Sequence, residues 1–334
     1  MTDTSSTYEE LNRAIQDACV NLGMLYRQAS ELEEAKAVLQ KAIDRNPEWA
    51  MPYLALGMTL TDNGEFLKAE EAFRQAMSRV KPDDTETLAA IYSGLGIALQ
   101  NQEKHKEAQK AFEKALEYNP SDVETYNLLS ETLYALENYE ETVKMLDRAL
   151  EIDPDNAWTH ARKGNALRML DSYKEALESL ERAIELDPNL GWAYARKGAV
   201  LRQLGKYEEA LDALEQANTQ DAEDTWSIDE RGRVYTEQGN FEAALAEFDR
   251  AIELQPDYAR AIADRGAVYG LMGEYEKALA DFNRAIELDE KFTWTIASRG
   301  DTYRLIGEYE KALADFDRAI ELNEKLTWAI ASRG

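Results

Sequence analysis

The clearest pattern in the chain is an amphipathic helix, a turn and a second amphipathic helix, as residues 293–326 show. Ile296, Gly300 and Tyr303 recur at i, i+4 and i+7, which places them on one face of a first helix. Gly307 then marks a predicted turn. The apolar face of the second helix is formed by Ala312, Phe316, Ala319 and Ile320. One such pair cannot bury both apolar faces, so the pattern predicts stacked pairs.

The same pair recurs along the chain with a period of 34 residues. A glycine near the middle of the first helix marks each unit, at Gly23, Gly57, Gly96, Gly164, Gly198, Gly232, Gly266, Gly300 and Gly334, with Ser130 in the remaining place. One step, from Gly57 to Gly96, is 39 residues long, because five extra residues near Val80–Thr85 are expected to lengthen one loop. Units therefore begin at residues 16, 50, 89, 123, 157, 191, 225, 259 and 293, with a partial unit at 327.

This pattern of small residues, helix pairs and spacing resembles the tetratricopeptide repeat (TPR) family over residues 16–334. The resemblance implies an all-α fold, an α-α superhelical solenoid of helix-turn-helix repeats whose first helices line a concave groove. It also implies a protein-interaction scaffold. We expect residues 1–15 to be an N-terminal tail with a helix extension, and residues 16–334 to be a single solenoid of about nine and a quarter repeats.

Composition and charge exclude several other classes of function. The chain has 65 acidic and 38 basic residues, a net charge of −27, which argues against nucleic-acid and anionic-membrane partners. One cysteine and two histidines leave few residues for a metal site. The sequence has no run of 18 apolar residues, so no membrane span is predicted. No nucleotide-binding or hydrolase motif is present, so we expect no cofactor, no enzymatic activity and a cytoplasmic protein.

Most candidate binding residues lie on the stripe of the first helices that, by the resemblance, faces the groove, and Arg162 and Arg196 lie at position 6, one helical turn after a tryptophan. Counting from the first residue of each unit, the stripe comprises positions 2, 5, 9 and 12, and tryptophan recurs at position 2 in the later units. Arginines accompany the tryptophans, and both residue types are frequent binding hot spots. The candidates are Trp158, Arg162, Asn165, Arg168, Trp192, Arg196, Arg202, Trp226, Arg260, Trp294, Arg304 and Trp328.

Two interpretations of the recurring tryptophans stay open at this point. They could be anchors for a partner segment with acidic and apolar residues, held in a basic, aromatic groove. Alternatively, each indole could pack on the preceding unit as structural filler, and duplication of one ancestral unit would then explain the recurrence.

A second recurring difference predicts ion pairs within the last full units. Position 7 is leucine in the first four units but arginine in units seven to nine, and each of these arginines is accompanied by an acid at position 23. The predicted pairs are Arg231–Glu247, Arg265–Asp281 and Arg299–Asp315.

The partial unit suggests two alternative functions besides peptide binding. Residues 327–334 supply a first helix without its second helix, which would leave an apolar flank uncovered. This flank could mediate self-association with another copy of the chain. We rather expect the chain to be a fragment, the sensor or docking arm of a larger signalling protein.

Overall fold

The computed structural model describes residues 3–323 and is entirely helical over that range. The absence of strands among these residues confirms the predicted all-α class. The chain forms two compact units, residues 1–171 and residues 172–334. The prediction of a single solenoid over residues 16–334 stays a prediction, and each unit is described by itself.

The first unit contains one long helix followed by eight shorter ones. They are α1 (Asp3–Gln28), α2 (Leu32–Arg45), α3 (Ala50–Asp62), α4 (Phe66–Met77), α5 (Thr85–Gln100), α6 (His105–Tyr118), α7 (Val123–Ala135), α8 (Tyr139–Ile152) and α9 (Ala157–Met169). Helix α1 begins well before residue 16, so the N-terminal extension is helical from Asp3 onward.

The described part of the second unit is built from helices of similar length. They are α10 (Tyr173–Leu186), α11 (Gly191–Gln203), α12 (Tyr207–Gln220), α13 (Thr225–Glu237), α14 (Phe241–Leu254), α15 (Ala259–Leu271), α16 (Tyr275–Leu288), α17 (Thr293–Leu305) and α18 (Tyr309–Leu322). Within each unit, a first helix packs against the second helix that follows it and against the second helix of the preceding pair. The predicted helix-turn-helix repeat is therefore confirmed.

The core of each pair is a large apolar side chain that packs into a gap in the first helix. Phe248 of α14 is fully buried, and a Cβ atom added to Gly232 of α13 would lie only 2.6 Å from its ring. Glycine is required at that position because the ring occupies the space of any side chain. Phe73, Phe112, Phe282 and Phe316 are the corresponding buried phenylalanines of other pairs.

The turn inside each pair uses the left-handed backbone conformation at one fixed position. Residues with positive φ at that position are Ser30, Gly64, Glu103, Glu137, Asp171, Gly205, Gly239, Gly273 and Gly307. In the fourth pair, the N–H of Asn138 donates to the carbonyl of Leu133 at 2.9 Å, which ends the first helix in the way typical of a left-handed C-cap. Four pairs therefore carry a side chain where glycine is favoured.

The five extra residues do not form only a longer loop, which corrects the expectation from the sequence. Helix α5 has 16 residues, whereas α3 and α7 have 13, and it begins at Thr85. Asp84 caps this start by accepting a hydrogen bond from the N–H of Thr87 at 3.1 Å. Part of the insertion is thus an additional helical turn, because a good capping residue follows Pro82.

The turn position gives a direct test of backbone strain. Glu137 has φ of 58°, and Gly239 has φ of 74° with nothing within 4 Å of an added Cβ. We expect Glu137→Gly to stabilise the protein by about 0.5–1 kcal/mol, since relief of the strain exceeds the added entropy of the unfolded chain. Gly239→Ala should cost about 1–2 kcal/mol. Urea unfolding measures both, and Glu137→Ala is the control: an equal gain from alanine and glycine at residue 137 would contradict a backbone origin.

Candidate functional site

Three of the predicted residues meet on the first helices of the second unit. The guanidinium of Arg196 lies 3.6 Å from the ring centroid of Trp226 and 5.5 Å from that of Trp192. A cavity of about 210 Å³ opens beside them, and Asp221 and Asp224 complete its polar lining. We call these three side chains and their cavity the Trp–Arg pocket. Its centre is a guanidinium between two indoles, an arrangement that favours cation–π attraction.

Local sequence explains why these side chains converge. Trp192 and Arg196 are four residues apart on α11 and therefore lie on one face of that helix. Asp224 is the N-cap of α13, and its carboxylate accepts a hydrogen bond from the N–H of Trp226 at 3.2 Å. This cap fixes the first turn of α13, which carries Trp226. The pocket is thus formed by the first two turns of α11 and the start of α13.

A group of carboxylates, two of them almost fully buried, lies next to this pocket and was not predicted from the sequence. Arg260, whose guanidinium is 5.9 Å from the Trp226 ring, contacts Asp229 at 3.0 Å and also contacts Glu230. Asp229 is 0% exposed and Glu230 is 2% exposed. Asp264 of α15 lies 3.8 Å from the same arginine. We call Asp229, Glu230 and Asp264 the carboxylate cluster.

Three arginines from three successive first helices converge on Glu230. Arg202 of α11 contacts it at 3.1 Å, Arg233 of α13 at 2.9 Å, and Arg260 of α15 completes the set. Burial alone would raise the pKa of Glu230, but these arginines lower it to about 2. Glu230 therefore links α11, α13 and α15 as a permanent anion at neutral pH.

The two aspartates of the cluster behave in the opposite way. Burial, together with the charge of Asp264, raises the pKa of Asp229 well above its ordinary value, and Arg260 opposes this only in part. Burial likewise raises the pKa of Asp264. The cluster therefore combines one strongly acidic carboxyl with two that retain protons more readily, because the available arginines favour Glu230.

Arg202 occupies a different environment from the one expected for a binding residue. It is only 5% exposed, and its guanidinium is bonded to Glu230 and Glu237. The sequence predicts a basic surface on the first helices. The surface around Arg202 is instead mixed in charge, because carboxylates of neighbouring first helices pair with its arginines. The sequence places Asp229 and Glu230 at positions 5 and 6 of their unit, but their burial depends on how α11, α13 and α15 stack.

The candidates of the first unit form a separate group on α9. Trp158 is 44% exposed, and the guanidinium of Arg162 lies 5.3 Å from its ring and contacts Glu131. Asn165 donates to the hydroxyl of Tyr134 at 3.0 Å, and its amide oxygen accepts from Arg168 at 3.1 Å. Burial lowers the pKa of Arg162 while Glu131 opposes that shift.

The remaining candidates do not join the Trp–Arg pocket. Trp294 on α17 is 36% exposed and lies 6.2 Å from the Phe292 ring, and Arg304 is paired with Asp301 at 2.7 Å. Trp328 and the self-association segment 327–334 lie outside the described residues. The exposed area of Trp158 and Trp294 leaves both indoles accessible from solvent.

The structure places each predicted pair of the later units within ion-pair distance. Arg231–Glu247, Arg265–Asp281 and Arg299–Asp315 are joined at 2.8, 2.7 and 2.6 Å. Each arginine also reaches back to position 25 of the preceding unit, where the partners are Glu215, Asp249 and Asn283. Lys163–Asp147 and Lys197–Glu181 follow the same spacing. These cations thus also connect successive repeats.

Comparisons with known proteins agree with this repeated architecture. Models of the tetratricopeptide repeat match residues 16–48, 50–121, 99–166, 157–190, 179–212, 259–292 and 295–326, and a further TPR repeat model matches residues 232–273. A curated relative, the type IV pilus assembly protein PilF of Pseudomonas aeruginosa, is 23% identical over 150 residues, which is 36% of this chain and 60% of that protein. The chain thus spans less than two thirds of that relative's length.

Solved structures show the fold as well. A tetratricopeptide repeat protein from Parabacteroides merdae has a TM-score of 0.67 at 18% identity, covering 76% of this chain and 98% of that chain. Human IFIT1, solved as a dimer with PPP-AAAA, has a TM-score of 0.62 at 18% identity and covers 93% and 78%. Within residues 3–323 no group of three or more histidine, cysteine, aspartate or glutamate side chains is arranged to hold a metal ion, and no described helix has the length and apolar character to cross a membrane.

The opposite pKa shifts of adjacent carboxyls predict opposite effects of neutral substitutions. A raised folded-state pKa means that Asp229 weakens the fold as pH rises above about 3.9, so Asp229→Asn should add stability that increases with pH until the folded-state carboxyl itself loses its proton. A lowered pKa means that the contribution of Glu230 is complete above about 4.3, so Glu230→Gln should cost about 3–5 kcal/mol from pH 5 to pH 8.5.

Urea unfolding of both variants and the wild type at pH 5, 7 and 8.5 measures these effects. Glu237→Gln, a change at the exposed edge of the same network, is the control and should have a small effect. A stability gain for Asp229→Asn that shrinks with rising pH would contradict the assignment.

Proposed function

This chain belongs to the tetratricopeptide repeat family, and on that premise we propose that it is a protein-interaction scaffold whose Trp–Arg pocket holds a segment of a partner protein. Proteins of this family are generally interaction scaffolds rather than enzymes. The proposal assigns the contact to Trp192, Arg196 and Trp226, on two adjacent first helices. The observation that carries it is the Arg196 guanidinium held 3.6 Å from one indole and beside a second.

The arrangement favours binding because the contact groups are ordered before a partner arrives. Aromatic rings and arginine are the residues that most often dominate binding energy at interfaces. Stacking on indoles restricts the Arg196 side chain, which lowers the entropy that a partner must overcome. A stacked guanidinium keeps its N–H donors in the plane of the group, where a planar carboxylate can accept two of them.

The chemistry of the pocket favours an acidic group flanked by apolar side chains. Asp221 and Asp224 already accept hydrogen bonds from the backbone N–H groups of Glu223 and Trp226. Arg196 supplies the cation of the pocket that a ligand carboxylate can bind, and the indoles supply apolar contact area. An aspartate or glutamate side chain, or a C-terminal carboxylate, fits this description.

The size of the pocket favours a peptide over a small-molecule ligand. Its volume of about 210 Å³ is below the range of roughly 300–1,000 Å³ that is typical of small-molecule pockets. A single side chain inserted there would leave the rest of a peptide along the first helices.

The carboxylate cluster supports this surface from within, because Arg260 contacts both the cluster and the Trp226 ring. The name of PilF, an assembly protein, is in keeping with an interaction role.

The decisive variant removes the pocket without disturbing the helix pairs. We expect Trp192→Ala with Arg196→Ala to abolish capture of the proteins that the wild-type chain retains from a cell extract, while helical content and the melting temperature change little. Quantitative mass spectrometry of the captured proteins, circular dichroism and thermal melting provide the measurements.

A matched variant controls for nonspecific loss. Tyr309→Ala with Lys311→Ala removes an aromatic ring and a cation from the second helix α18, where Tyr309 is 65% exposed. This variant should retain the same proteins as the wild type. Two outcomes would contradict the proposal. Unfolding of the pocket variant would show that the tryptophans serve as packing, and undiminished capture by the folded variant would show that partners bind elsewhere.

A further inference from the structure

A second and larger cavity lies on the first helices of the other unit, within residues 1–171. It has a volume of about 860 Å³ and lies among α3, α5 and the start of α7. Met58, Ala90 and Ile97 supply apolar lining, and Glu86 and Glu124 lie on its polar side. We call it the N-terminal cavity. It shares no residue with the Trp–Arg pocket.

Small side chains on α5 create this space. Ala90 holds position 2 of its unit, the position of Trp158, Trp192 and Trp226 in later units. Gly94 holds position 6, and a Cβ atom added there would lie 2.5 Å from the Phe73 ring. The Phe73 ring therefore prevents a side chain at residue 94. The third repeat consequently leaves a gap where other repeats carry bulky groups.

The inserted residues build one wall of the cavity. The additional turn of α5 begins at Thr85, after the cap at Asp84, and both Thr85 and Glu86 line the cavity. The extra turn is absent from six other first helices, each of which has 13 residues: α3, α7, α11, α13, α15 and α17. The insertion thus changes the surface of this first helix as well as the connection between repeats.

The charge of the lining is acidic once internal pairs are taken into account. Arg27, the basic residue of the lining, is bonded to Asp62, with Nε–Oδ2 and Nη2–Oδ1 distances of 2.5 and 3.3 Å. Asp122 caps α7 by accepting from the N–H of Glu124. Glu86 and Glu124 remain, both with exposed side chains. A cationic group entering this cavity meets two carboxylates that are accessible from solvent.

We propose that the N-terminal cavity is a second binding site, and that its occupant is a partner segment carrying lysine or arginine next to apolar side chains. The apolar floor and the volume fit several consecutive side chains, and the two glutamates complement a basic residue. A second copy of this chain is a poor occupant, because each copy has a net charge of −27 and would be repelled. The site thus differs in both position and ligand charge from the Trp–Arg pocket.

A peptide selection tests this proposal directly and does not require the partner to be identified first. A random library of twelve-residue peptides displayed on phage is selected on the full chain, after depletion on an Ala90→Trp variant. The tryptophan fills the cavity at a position where later units carry the same residue, so the helix pair should remain folded. We expect the recovered peptides to be enriched in lysine and arginine with adjacent apolar residues.

Affinities of the recovered peptides then test the contact residues. Glu86→Lys with Glu124→Lys should weaken binding at least tenfold in isothermal titration calorimetry. Glu107→Lys with Glu140→Lys makes the same change of charge on second helices of the same unit and should leave affinity within twofold. The Trp192→Ala, Arg196→Ala variant should also bind these peptides normally, which separates this site from the proposed function.

Three results would overturn the proposal. One is the recovery of no peptides that distinguish the wild type from Ala90→Trp. Another is enrichment of acidic sequences, and the third is equal loss of affinity in the two charge-reversal variants. A dimer of the full chain in analytical ultracentrifugation that is lost in Ala90→Trp would instead assign the cavity to a second copy, which also contradicts it.

Discussion

The close approach of the two helices in each pair is the constraint on which the rest of the structure depends. A buried phenylalanine or leucine of the second helix occupies the space next to a small residue of the first, as Leu214 does at Gly198, where an added Cβ would lie 2.5 Å away. Because interiors are packed at crystal-like density, that distance tolerates almost no variation. The few positions that satisfy this constraint recur every 34 residues, and they are sufficient to define the helix pair.

Because packing constrains only these few positions, the exposed stripe of the first helices can differ between repeats. Position 2 is Trp226 in one unit and Ala90 in another, while the packing beneath it is of the same kind. The same kind of helix pair therefore carries a small aromatic pocket around the Arg196 guanidinium and, in the other compact unit, a larger cavity with accessible glutamates. Function in a repeat protein is determined at such variable positions, since the constant positions are already committed to packing.

The helix pairs and their spacing could be predicted from the sequence because they depend on contacts within 34 residues. The pairs of Arg265 with Asp281 and Arg299 with Asp315 were visible for the same reason, as covarying positions in one unit. The backward contacts to Asp249 and Asn283 were missed, since they depend on how one repeat is placed on the previous one. The extra turn of α5 was missed because a loop and a capped helix start share the same residues, Pro82 and Asp84.

The convergence of three arginines on Glu230 was beyond sequence reasoning for a further physical reason. Acidic residues are so frequent in this chain that a pair such as Asp229 and Glu230 is, by composition, most simply solvated. Its burial results from the stacking of α11, α13 and α15, which places Arg202, Arg233 and Arg260 around one carboxylate. A buried ion pair is weak evidence for net stability, but losing one partner is costly, so such a network opposes any shift of one helix against the next. Because Arg260 also lies beside the Trp226 ring, the same network contacts one indole of the Trp–Arg pocket from within the protein.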